Sequence, residues 1–177
     1  GYDGNRQHFV LDGHQRLTAM YYAFVAPEKP LPKRSSIARY YVSVDLFMAE
    51  AYDEAFSYEY KSKKWDSIFR DHDMQFALHI FPMSVIGDDD DWALAGWAQG
   101  YKSFWERQAQ RAKSVGDSER RLIATEHAKA AQEFSSHLRS ITQQYQISFI
   151  ELDQDIEVDK VCDIFTQINS RGVRLDV

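Results

Sequence analysis

The stretch that most limits how this chain can fold runs from Glu119 to Tyr145. Leu122, Ala128, Ala131, Phe134, Leu138 and Ile141 recur there at roughly 3.6-residue spacing, which predicts one long helix. At about 1.5 Å per residue it spans ~40 Å, a length that needs a partner element to cover its apolar face. Gly116-Asp117-Ser118 breaks the chain just before it and carries N-cap chemistry. Upstream, Trp92, Trp97, Tyr101, Phe104 and Trp105 predict another helix with an aromatic stripe. The region from about 92 to 145 therefore reads as a helical insertion.

Around the insertion the pattern changes period. Phe9-Val10-Leu11 reads as a short buried strand that stops at Asp12-Gly13. Leu17, Met20, Tyr21 and Phe24 then follow helical spacing until Pro27. From Arg39 to Phe47 the residues alternate, with Tyr40, Val42, Val44 and Leu46 on one face, which predicts a strand. Phe56, Tyr58 and Tyr60 predict a partner strand, and Phe76, Leu78 and Ile80 a third, ended by Pro82. Ile147 to Leu152 reads as a strand. Val158, Val161, Cys162, Phe165 and Ile168 read as a last amphipathic helix, N-capped by Asp155. Strand, helix, several strands, two helices, strand, helix is an α+β order, not the regular alternation of a doubly wound sheet.

The composition bounds the function. With 177 residues, 44% hydrophobic and 27% charged, the chain has the profile of a soluble globular domain. No apolar run approaches the ~20 residues of a membrane span. It begins without Met and ends beside a motif-like stretch, so it reads as an excerpt of a longer protein. The lone cysteine, Cys162, excludes an internal disulfide and a Cys-rich zinc site, and fits a reducing, cytoplasmic setting. A net charge of -6 means that nucleic acid needs a local basic patch or another domain.

Two polar stretches carry candidate chemistry. The first is "FVLDGHQRLTAM", Phe9 to Met20. A strand feeding a helix through Asp12-Gly13 leaves backbone N–H groups at the positive end of the helix dipole, an anion site suited to phosphate. Gly13 lacks a Cβ and lets a ligand approach the backbone. Arg16 offers a bidentate fork for phosphate oxygens, Gln15 can donate or orient a water, and Asp12 can hold Mg²⁺. The same residues also describe a plain capped turn with its polar side chains in water. The loop is neither a GxxxxGK[ST] nor a GxGxxG type. The second stretch is "FTQINSRGVRLD", Phe165 to Asp176, where Gly172 suits a left-handed helix exit. Arg171 and Arg174 favour the negative end of a helix dipole, which spacing alone explains without a ligand.

The ordered pair of stretches resembles the GmrSD-type restriction endonuclease N-terminal domain family. Strand-"DGHQR"-helix is similar to the family's "DGQQR" signature, and "FTQINSRGVRLD" to its second signature, a helix running into an Asn-Ser-Arg-Gly turn. His14 departs from the pattern, standing where the family usually has Gln and adding a titratable group. The resemblance implies a mixed-sheet ParB/sulfiredoxin-like fold, one domain over 1–177 that lacks the family's upstream strands and its downstream helical and nuclease segments. It implies binding and hydrolysis of a nucleoside triphosphate, GTP or ATP, with Mg²⁺. It also implies a regulatory role in restriction of foreign DNA and phage, with DNA met through other segments. Carried over by position, Asp12, Gln15 and Arg16 are the expected catalytic residues, with Mg²⁺ on Asp12. Gly13, His14, Arg16, Asn169, Ser170, Arg171 and Gly172 are the expected nucleotide ligands. The alternative is a non-catalytic DNA- or partner-binding module of the same fold. A nuclease is a weaker third, since no HNH-like His cluster is visible. Sulfiredoxin chemistry is excluded, because the loop has no Cys and Cys162 is expected to be a buried, quiet thiol on the apolar face of its helix.

Four other features read as structural. Asp88 to Asp91 lacks the EF-hand pattern and reads as a solvated acidic loop. His72 and His79 have no third ligand in pattern and read as surface or strand-end histidines. The Trp92–Trp105 aromatic stripe reads as core packing rather than base stacking. Lys61, Lys63, Lys64 and Arg70 around Trp65 form the best local basic patch, on an expected solvated hairpin.

Overall fold

The computed structural model describes residues 13–90 and 92–144, together with 157, 159–163 and 166. The chain divides into two units, residues 1–144 and 145–177. The first unit is mixed α and β, with a small antiparallel sheet beside two long helices.

The first described element, α1 (His14–Met20), starts from Gly13 in the left-handed region and runs on as a π-helical turn over Tyr21–Val25. Ala26, also left-handed, ends it just ahead of Pro27. The sheet has the order β2-β1-β3, with β1 at Ala38–Ser43, β2 at Phe56–Tyr60 and β3 at Ile80–Pro82. Both pairings are antiparallel, with Tyr40 opposite Tyr58 and Ser43 opposite Ile80. The partner-strand expectation for Phe56 to Tyr60 holds.

Two strand expectations are too generous. The alternation from Arg39 to Phe47 stays extended only to Ser43, and the chain then turns into α2 (Val44–Met48) and α3 (Tyr52–Ala55). The Val44 N–H donates to the His79 carbonyl, 2.9 Å, at that turn. Phe76 belongs to a helix, not a strand. After α4 (Lys63–Arg70), Asp71 caps α5 (His72–Ala77) by accepting from the Met74 N–H at 3.2 Å. Only Ile80 onward is extended, and all of β3 is buried. An alternating run of five or six residues fits a strand or a short helix, and tertiary burial decides between them.

The two long helices are α6 (Ala93–Ser114) and α7 (Ser118–Gln144). Asp117 caps α7, its Oδ1 accepting from the Arg120 N–H at 3.0 Å, as the break at Gly116-Asp117-Ser118 predicts. The buried face of α7 is Ala124, Ala128, Ala131, Phe134 and Leu138. Leu122 and Ile141, expected on that stripe, are exposed. Trp97, Tyr101 and Phe104 of α6 pack with Val42, Phe47, Phe76, Phe81 and Phe134 into one core. The aromatic stripe is thus core, apart from Trp92, which is exposed. Gly100 lets α5 approach α6, because a Cβ there would lie 2.8 Å from the Phe76 ring. Among the described residues, Gln75 is the enclosed polar side chain: it accepts from the Trp97 indole N–H at 3.0 Å and donates to the Phe69 carbonyl at 3.1 Å. No helix among the described residues is long and apolar enough to cross a membrane.

In the second unit, residues 159–163 are helical, and Cys162 is exposed there. The expectation of a buried thiol is corrected: the Cys162 side chain is exposed. The expected Phe9–Leu11 strand, the Ile147–Leu152 strand and the Asp155 cap lie outside the described residues.

Candidate functional site

Three places in the first unit gather chemistry, beginning with the start of α1. Gly13 has φ 77° and ψ 6°, a conformation strained for any residue with a Cβ. Its carbonyl accepts the first helical hydrogen bond, from the Leu17 N–H at 2.9 Å. Arg16 folds back over it, so that a Cβ at position 13 would lie 3.6 Å from Arg16 Nη2 and 3.9 Å from Nε. His14, Gln15 and Arg16 are exposed, and the first turn of α1 carries no acidic residue. The Arg16 guanidinium and the positive end of the helix dipole meet there. Asp12, Asn169, Ser170, Arg171 and Gly172 lie outside the described residues.

The second place is a groove of about 1010 Å³ between α6 and α7. Lys102, Arg107, Arg111, Lys113, Arg121 and Lys129 line it, against one carboxylate, Glu106. Arg107 reaches Asp73 at 3.5 Å and Lys129 reaches Glu126 at 3.0 Å. Among the described residues, no ion pair engages Arg111, Lys113 or Arg121. This concentrates positive charge on one face of a chain whose net charge is -6. The sequence places these cations on two helices, so they do not read as a patch until the helices pack. In the patch expected around Trp65, Lys61 alone of the four cations is ion-paired among the described residues, and Lys63, Lys64 and Arg70 are exposed. Lys61 pairs with Glu28 at 3.0 Å, and Trp65 stacks on Tyr41 with ring centroids 5.4 Å apart. Its residues Lys63 to Arg70 form a helix, not a hairpin.

The third place is not legible as a motif. The pairing of Ser43 with Ile80 sets Asp45, in the first turn of α2, beside His79, at the corner between α5 and β3. Helix α7 brings His127 to the same point, and α6 brings Tyr101 and Trp105, one turn apart on one face. Asp45 Oδ1 lies 3.1 Å from His79 Nδ1 and 3.5 Å from His127 Nδ1. The Tyr101 hydroxyl lies 2.6 Å from the same His79 nitrogen. Trp105 stacks flat on His79, ring centroids 4.9 Å apart and planes 8° apart, and lies 4.6 Å from the His127 ring. His79 has φ 56°, a left-handed conformation uncommon for a non-glycine residue and held here by the packing around it. Burial pushes the His79 pKa down, with nearby Asp45 opposing and His127 adding to the shift. Burial, followed by the Asp45 charge, raises the Tyr101 pKa, so its hydroxyl keeps its proton. His79 stands at the strand end its sequence context suggests, just before β3, but there it is a partly buried member of a cluster rather than a surface residue. His72 stays exposed and apart from it.

The acidic loop behaves as expected. Asp88 and Asp90 turn inward only to cap their own backbone, accepting from the N–H groups of Asp90 and Trp92.

Comparison with known families finds one match over the whole chain. A family model described as "GmrSD restriction endonuclease, N-terminal domain" covers residues 1–177. No curated protein and no solved structure matches.

Proposed function

Because the chain belongs to the GmrSD restriction endonuclease N-terminal domain family, we propose that it is the nucleotide-responsive regulatory domain of a DNA-restriction protein acting in the cytoplasm against phage. The observation that carries this reading is the start of α1. Gly13 is left-handed and lacks a Cβ, and Arg16 lies over it. What supports a phosphate there is a residue without a Cβ beside a guanidinium, followed by the exposed His14 and Gln15.

Gly13, His14 and Arg16 would hold the phosphates of GTP or ATP, with Asn169, Ser170, Arg171 and Gly172 as further ligands. Asp12 would hold Mg²⁺, which when bound neutralises charge developing on the phosphoryl oxygens. Arg16 binds and orients the phosphate through a bidentate fork, and Gln15 positions a water by hydrogen bonding. His14 supplies a hydrogen-bonding group where the family usually has an amide.

The test is nucleotide titration of the full-length protein. A charge-assisted bond contributes about 1.5–3 kcal/mol, so Arg16→Ala is expected to weaken binding by roughly 10- to 150-fold. Asp12→Asn is expected to lower Mg²⁺-dependent turnover more than binding. Parent-like binding by both Arg16→Ala and Arg171→Ala would overturn the nucleotide reading.

A second reading is favoured by a separate observation, the basic groove between α6 and α7. On that reading the domain is a non-catalytic module that lies along a DNA backbone. Retained DNA binding with no nucleotide response would put it first.

A further inference from the structure

We propose that Asp45, His79 and His127 bind one divalent metal ion of the zinc class. The inference is independent of the nucleotide reading, since none of the three residues belongs to the stretch around Gly13.

The donor set is the first argument. Two imidazoles and one carboxylate make a mixed nitrogen and oxygen site of the kind zinc takes, and three protein ligands leave a fourth position for water. The second argument is distance. Bonds of about 2.0–2.1 Å in a tetrahedron put ligand atoms ~3.3–3.4 Å apart. Asp45 Oδ1 stands at 3.1 and 3.5 Å from the two Nδ1 atoms, and one ligand atom from each of the three residues lies within 4.8 Å of the others.

The third argument is proton bookkeeping. His79 Nδ1 faces the Tyr101 hydroxyl at 2.6 Å and Asp45 Oδ1 at 3.1 Å. Where the hydroxyl donates to it, Nδ1 presents a lone pair to a carboxylate oxygen, and two electron-rich atoms oppose each other. Where Nδ1 carries the proton instead, that one proton faces two acceptors. A cation among the three ligand atoms takes the Nδ1 lone pair, and the Tyr101 hydroxyl, displaced from that nitrogen, keeps its proton and turns it toward the Asp45 carboxylate, whose charge already acts on it. The neutral rings then carry their protons on Nε2 and lend both Nδ1 lone pairs to the metal.

The surroundings hold the ligands ready. Trp105 packs on both imidazoles, and the left-handed backbone at position 79 is fixed by the Val44 N–H bond to its carbonyl. The Asp45 side chain is 47% exposed, against 16% for His79 and 23% for His127, so the carboxylate opens the site to solvent. The ligands come from α2, the corner before β3, and α7. A bound ion would therefore clasp the helical pair to the sheet, and binding only the folded form would raise its thermal stability.

The experiment uses full-length protein stripped with chelator and titrated with Zn²⁺, then with Co²⁺, without nucleotide. Expected are one Zn²⁺ per chain, visible absorption bands of tetrahedral Co²⁺, and a rise in the thermal midpoint that chelator reverses. Asp45→Asn, at a half-exposed position, is expected to keep the fold by circular dichroism and weaken Zn²⁺ binding at least ~100-fold. His127→Ala is expected to do the same, and His72→Ala to change nothing. Failure of the parent to hold stoichiometric Zn²⁺, or parent-like Zn²⁺ affinity in folded Asp45→Asn, would overturn the proposal.

Discussion

Gln75 shows what a single buried amide does in this core. It satisfies the Trp97 indole N–H and the Phe69 carbonyl at once. Gln75→Leu keeps the volume but strands both partners, so a loss of about 1–3 kcal/mol is expected, read as a lower urea midpoint. Glu28 gives a pH prediction. Hydrogen bonds from Arg39, then Lys61, hold its pKa below the ordinary 4.5. A depressed carboxylate adds stability above its unfolded pKa and loses it as pH falls through the folded value. The urea midpoint of the parent is thus expected to exceed that of Glu28→Gln at neutral pH, and the gap to close as pH drops below 4.5. The gap is small, because Glu28 is largely solvent-exposed. Cys162 departs from its sequence pattern at this scale. Its neighbours Val158, Val161 and Phe165 suggest an apolar stripe, yet the thiol is exposed. Periodicity says which residues share a face, and not whether anything covers that face.

At the scale of elements, α7 depends on a cap that is plain in the sequence. The Asp117 carboxylate accepts from the Arg120 N–H and also meets the Arg120 guanidinium at 3.2 Å. Asp117→Ala is expected to cost about 0.5–2 kcal/mol, measured by thermal unfolding. Asp117→Asn keeps an acceptor for the backbone and is expected to recover most of that loss, since the ion pair is exposed. Long elements are legible: α6 and α7 follow from extended periodicity. Short ones are not. Val44, Asp45 and Leu46 continue the alternation of β1, but the backbone turns helical after Ser43. Phe76 and Ile80 look like one strand, but a helix end and a left-handed corner separate them. In both places burial of Val44, Phe47 and Phe76 outweighs a weak local preference.

For the whole molecule, the acidic net charge hides a basic face. If the groove between α6 and α7 lies along a DNA backbone, removing two of its cations has a defined signature. Arg111→Ala with Arg121→Ala is expected to weaken binding across sequences alike. The slope of log affinity against log salt is expected to become shallower by about 0.9 for each phosphate no longer neutralised, roughly 2 in all. Fluorescence anisotropy over a salt series reads both. An unchanged slope would remove the groove from the DNA path. The sequence by itself determined the family, through "DGHQR" and "NSRG" in order, and the α+β class, through runs long enough to declare their period. It also marked Gly13, whose left-handed backbone favours a residue without a Cβ. Only the tertiary structure decided the basic groove and the cluster of Asp45, His79 and His127. Their members are far apart in the chain and follow no spacing rule. What joins them is the register of Ser43 with Ile80 and the packing of α6 on α7, and neither is a property of any local stretch.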